Sequence, residues 1–165
     1  MKKLLCILFF AVILLLPGCG KEDENSAHFY YPTQSLKSGP KNSIIASEKR
    51  TVQDKSDLCQ TLTLYLAGPA DDELVSPFPA NTRVTDAIFE QDKLLITLSD
   101  HIGKLEGIDQ TIACACLAST CFDLTDAQQI TIVSDSFSIS LGRNSITLLD
   151  ESLSGSKTKT INAEE

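Results

Sequence analysis

The chain has 165 residues, with 14 Lys and Arg against 22 Asp and Glu and a net charge of −8. That acidic balance argues against a nucleic-acid partner, which rewards clustered Lys and Arg, and against the polar surface lying on anionic lipid. The length suits one ordinary domain with a real core.

The chain opens Met1-Lys2-Lys3, a short cationic start, and residues 4–16 are almost wholly apolar. This is the layout of an export signal, and the run is shorter than the ~20 residues of a membrane span. The following Leu16-Pro17-Gly18-Cys19 resembles the lipobox of bacterial lipoproteins. The resemblance implies cleavage after Gly18 and lipidation of the Cys19 thiol. Two or three acyl chains then hold the mature protein on the extracytoplasmic face of the cell membrane, where one chain alone holds only marginally. Residues 1–18 read as a lipoprotein signal peptide and residues 19–26 as a polar, acidic tether with little power to bury surface. Losing Lys2 and Lys3 leaves 12 basic against 22 acidic side chains, a mature charge of −10.

Residues 27–150 read as one folded domain. Ala27-His28-Phe29-Tyr30-Tyr31 is a short aromatic strand ended by Pro32. A loop with Gly39-Pro40 follows, and residues 43–47 form a second strand paired with the first. Asp57 can cap a helix in which Leu58, Leu62, Tyr65 and Leu66 recur at helical intervals, with Gln60 at capping-box spacing. Gly68-Pro69 stops it. Residues 61–66 also alternate like a strand, and the caps favour the helix.

A loop containing Asp71-Asp72 and Ser76-Pro77-Phe78-Pro79 leads to a hairpin. Its arms are residues 82–89 and 94–99, joined through Glu90-Gln91-Asp92-Lys93, with Leu94, Ile96 and Leu98 on the more buried face. Residues 107–122 form a second helix, with Ile108, Ile112, Ala115, Cys116 and Ser119 able to share one face. Asp109 lies near its amino end, where the helix dipole favours a carboxylate. Residues 129–134 are a strand. Residues 137–141 and 146–149 form a closing hairpin around Gly142-Arg143-Asn144-Ser145. Residues 151–165, rich in Ser, Gly, Lys, Thr and Glu, read as a flexible tail.

The six cysteines divide by position. Cys6 leaves with the signal and Cys19 is claimed by lipid, so Cys59, Cys114, Cys116 and Cys121 remain. On a helix Cys114 and Cys121 share a face and Cys116 points nearly the opposite way. Three readings stay open: buried free thiols behaving as small hydrophobes, one disulfide, or a metal site. Cys-Ala-Cys with a distant fourth cysteine matches zinc spacing poorly. Only His28 and His101 could serve as an imidazole base, and no nucleophile elbow, phosphate-binding loop or His-Glu-x-x-His motif occurs. Asp71-Asp72 and Glu22-Asp23-Glu24 lie in polar loop and tether sequence, where solvated charge is the common role. The sequence therefore predicts no catalytic, cofactor-binding or metal residues and no cofactor. It predicts no enzyme.

Leu64-Tyr65-Leu66-Ala67-Gly68-Pro69, then Leu74-Val75-Ser76-Pro77-Phe78-Pro79, then Thr82-Arg83-Val84, is similar to the GerMN domain of sporulation and spore-germination proteins. The hairpin, second helix and following strand continue that order, and Phe29-Tyr30-Tyr31-Pro32 resembles the opening strand. The resemblance covers residues 27–150 as one copy. It departs where a Gly common at the hairpin turn is replaced around Asp92, and in its cysteines. It implies a single α+β domain like the ring-building motifs of secretion systems, with a mixed or antiparallel sheet and two helices packed on one face. It also implies a non-enzymatic lipoprotein that contacts other envelope or sporulation proteins. An extracytoplasmic binder of small molecules or cell-wall polymer is the alternative class.

Overall fold

The computed structural model describes residues 25–34 and 44–145. Cys19, the signal, the tether up to residue 24 and the tail lie outside them, as does the expected strand at residues 146–149. The expected α+β class holds, in one domain with two helices. Its strands divide between two sheets, one two-stranded and one four-stranded.

Strand β1, Ser26–Pro32, buries Ala27, Phe29 and Tyr31 at alternate positions. It pairs antiparallel with β2, Ile45–Thr51, and places Tyr31 opposite Ala46 and Phe29 opposite Glu48. Helix α1, Leu58–Leu66, begins where Gln60 N donates to the Asp57 carboxylate at 2.9 Å. That cap, together with Gly68 at φ 101°, selects helix over the competing strand. Thr61, Leu62 and Tyr65 face inward.

Strand β3, Val84–Glu90, and strand β4, Lys93–Leu98, form the expected hairpin. Gln91 occupies the left-handed region at φ 58°, the conformation for which a turn usually selects Gly. A 3-10 turn, Asp100–Lys104, and helix α2, Gly107–Leu124, then carry the chain to β5, Gln129–Val133, which lies parallel to β4. Strand β6, Ser138–Gly142, pairs antiparallel with β5.

The strand expected at residues 137–141 forms, and its described partner is β5. Residues 137–141 fold back onto the strand before them, through a tight turn in which Ser134 N donates to Phe137 O at 2.9 Å. The pairing sets Ile139 and Leu141 opposite Ile132 and Ile130. Arg143 to Ser145 form a short 3-10 turn, and the second arm expected at residues 146–149 lies outside the described residues.

Helix α2 contacts both β1 and β5, and so touches both sheets. Its residues Ala113, Cys114 and 116–122 are all buried. Cys116 does point away from Cys114, yet both are covered, because a helix between two sheets has apolar neighbours on opposite sides. One core joins Phe29, Tyr31, Leu62 and Tyr65 to Ile96, Leu117 and Ile132. Within it Tyr65 stacks on Tyr31 at 4.9 Å and meets Phe29 and Phe78 edge-on at 5.5 and 5.6 Å. Each phenol hydroxyl finds a carbonyl: Tyr31 donates to Tyr65 O at 2.7 Å and Tyr65 to Tyr30 O at 3.0 Å.

The edge of β1 opposite β2 is closed by side chains. Tyr30 N donates to Thr120 Oγ1 at 3.0 Å and His28 N to the Asp123 carboxylate at 3.2 Å, both acceptors on α2. They stand where a neighbouring strand would be, and so remove a template for pairing between molecules. The edge strand β3 is blunted too, by a register shift between Val84 and Asp86 and by Asp86 accepting from Ala87 N at 2.9 Å.

Candidate interaction groove

The loop after α1 is held in place from β2. The Glu48 carboxylate accepts from Ala70 N and Asp71 N at 3.0 Å and from Arg50 Nη1 at 2.8 Å. Past it, the chain runs beside the end of β1: Thr33 bridges Leu74, Val75 N donates to Pro32 O at 2.9 Å, and Gln34 N donates to Glu73 O at 2.8 Å. Leu74 and Phe78 point into the core. The intervening residues are left facing outward.

They form one wall of an open groove of about 390 Å³. Val75, Ser76 and Pro77 make this wall, and Pro32, Thr33 and Gln34 continue it from β1. Leu105, Asp109 and Ile112 make the opposite wall at the start of α2. Val75 is 42% exposed, and Ile108, one turn before Ile112 on the same helix face, is 73% exposed. The sequence sets Ile108 and Ile112 on one face with Cys116 and Ser119; along that face Ile108 is exposed, Ile112 is half-buried, and full burial begins past Ile112.

The other residues singled out by sequence fall elsewhere. His28 sits at the surface with its Nδ1 3.4 Å from the Asp123 carboxylate, and His101 is half-buried on the 3-10 turn. Neither lines the groove. Asp71 and Asp72 are exposed, and Asp71 accepts from Glu73 N at 2.9 Å to shape its own loop. Cys59 is exposed, whereas Cys114, Cys116 and Cys121 are buried and unpaired. Burial pushes the Cys114 thiol up to about 11 and Cys116 to about 12, and Cys121 is raised further still. These thiols are small core hydrophobes, as the first of the three readings has it. Among the described residues no cluster of His, Cys, Asp and Glu has the makings of a metal site, and no helix is long and apolar enough to cross a membrane.

Sequence reasoning missed the groove, which three segments far apart in the chain build jointly. The signal available was the outward half of the Leu74 to Pro79 motif together with the helical spacing of Leu105, Ile108 and Ile112.

The family model for Germane, sporulation and spore germination, matches residues 28–136, a span that holds both walls of the groove. The chain belongs to this family. Its Germane domain has the GerMN fold: the tandem GerMN domains of the sporulation protein GerM from Bacillus subtilis superpose with a TM-score of 0.51 at 12% identity. That match covers 72% of this chain and 43% of the tandem one. A candidate lipoprotein from Clostridium perfringens aligns at 19% identity over 72% of this chain and 87% of its own, with a TM-score of 0.47. Comparison with curated proteins gives no significant match.

Proposed function

We propose that this Germane protein is a non-enzymatic lipoprotein, held by a lipidated Cys19 on the extracytoplasmic face of the cell membrane. Its domain docks other envelope proteins in a sporulation, germination or cell-envelope assembly. The observation that carries the reading is the groove with exposed Val75 and Ile108 beside it, since aliphatic side chains left in water around a concavity mark a contact surface. Its polar lining, Thr33, Gln34, Ser76 and Asp109, offers no imidazole to activate a nucleophile. The signal-like start and Leu16-Pro17-Gly18-Cys19 support the anchor, and family membership supports the setting.

Chemical crosslinking of the native protein in its own membranes tests the docking: a discrete adduct larger than the monomer is expected. A strict monomer that co-purifies with nothing ends the reading. For the anchor, Cys19→Ser is expected to release the protein from membranes, and mass spectrometry showing an unmodified Cys19 refutes it.

The groove volume also falls in the ~300–1,000 Å³ range of small-ligand sites, which favours the second reading, a small-molecule or cell-wall-polymer binder. A rise in melting temperature with muropeptides or glycans would put that reading first.

A further inference from the structure

The groove walls differ in chemistry in a way that specifies an occupant. Val75, Pro77, Leu105 and Ile112 supply aliphatic surface, and among the described residues Asp109 is the one charged side chain in the lining. Among the described residues that carboxylate has no hydrogen-bond or ion-pair partner. Neither Glu73 nor Glu106 lines the groove, and the chain as a whole is acidic. Lys104 is adjacent in sequence but does not line the groove. An unpaired carboxylate between aliphatic walls attracts a cation that carries apolar neighbours, and repels an acidic segment.

We propose that the groove binds a peptide segment of a partner protein in which aliphatic side chains flank a lysine or arginine. The aliphatic residues pack on Val75, Leu105 and Ile112, with Ile108 extending the contact at the rim, and the cation pairs with Asp109. Thr33, Gln34 and Ser76 face the segment with hydrogen-bonding groups. The inference rests on the docking reading above and names the chemistry of the partner.

The test is selection from a random peptide display library with the full chain as bait, followed by affinity measurement of the enriched peptides. Enrichment of sequences that set Lys or Arg among aliphatic residues is expected. Asp109→Asn should weaken them about threefold, and replacing the peptide's cation with Gln should weaken wild type equally while leaving the variant unaffected. Ile108→Ser should cost about fivefold by removing rim contact. Both side chains are exposed, so urea denaturation of Ile108→Ser should match wild type and Asp109→Asn should lose only the small helix-dipole contribution of a first-turn carboxylate. No enrichment over a bait-free control, enrichment of acidic peptides, or binding indifferent to both substitutions overturns the proposal. In each of those cases a membrane crosslinking adduct that survives Asp109→Asn leaves the docking reading standing with another surface, whereas loss of all adducts in wild type removes both.

Discussion

The Arg143 guanidinium caps the carboxyl end of α2 through Phe122, lying 4.9 Å from the centre of its ring and donating from Nη2 to its carbonyl at 3.0 Å. The same side chain reaches Thr125 O at 2.7 Å and, from Nε, Ala127 O at 2.8 Å. Carbonyls at a helix end have no intrahelical donor, and a cation there also complements the helix dipole. Arg143→Ala is therefore expected to cost about 2–3 kcal/mol, read from the urea midpoint. Lysine should recover only part, because one ammonium cannot span three carbonyls as a planar fork does. An unchanged midpoint for alanine would refute the capping role.

The buried thiols give the domain an alkaline limit. In the unfolded chain they ionise near 9.0, whereas burial holds Cys114 protonated to about 11 and Cys116 to about 12. Their contribution is thus fully present below pH 9 and is lost as pH rises toward the folded values. The loss per thiol approaches about 1.4 kcal/mol per pH unit, because the unfolded state has released a proton that the native state keeps. Tyr65, buried and raised well above 10, adds loss of the same sign at higher pH. Denaturation across pH 8 to 11 should show the fall, and Cys116→Ala should flatten it. Equal slopes in the two proteins would rule the thiol out as the cause.

Thr120→Val keeps the shape of a buried side chain and deletes the acceptor for Tyr30 N. The expected cost is about 1–3 kcal/mol, with amide exchange at Tyr30 accelerated at least about tenfold relative to β4 amides. Exchange that slows or speeds uniformly over the domain would mean that the contact is not a local closure of the β1 edge.

Gly103 lies against the β5–β6 turn, where an added methyl would strike Ser136 Oγ and come within 3.3 Å of the Asp100 carboxylate. Gly103→Ala should lower stability by about 1 kcal/mol or less, because the exposed Ser136 hydroxyl can rotate away and only its Cβ must yield. Ser136→Gly in the same chain should restore most of it. Failure of that rescue would place the strain in the 3-10 turn itself.

Local chemistry was legible from sequence wherever one short segment decides it. Asp57 and Gly68 bracket α1 because a cap and a left-handed residue act within a few positions, and the β3–β4 hairpin follows from alternation around a polar turn. Pairings chosen by distant surfaces were not legible. Nothing in Phe137 to Leu141 says that its partner is the preceding strand, nor that β1 and β2 stand as a separate sheet. Helical spacing sorted Cys114 from Cys116 correctly, but could not say that both sides of α2 are covered. For the same reason the face shared by Ile108 and Cys116 is exposed at one end and buried further along: periodicity gives a face and not what lies against it. The groove exists only after three segments meet, so no linear motif announces it.

The closure of β1 by Thr120 and Asp123 also sets an order of assembly. The partners are 90 and 95 residues apart, so the outer edge of β1 is satisfied only once α2 has been synthesised and has docked. Until then the amino-terminal hairpin is an unfinished surface, open to chaperones and to pairing with its own kind. A chain truncated ahead of α2 should not persist as a smaller domain, and maturation of the intact protein should be paced by this one long-range contact.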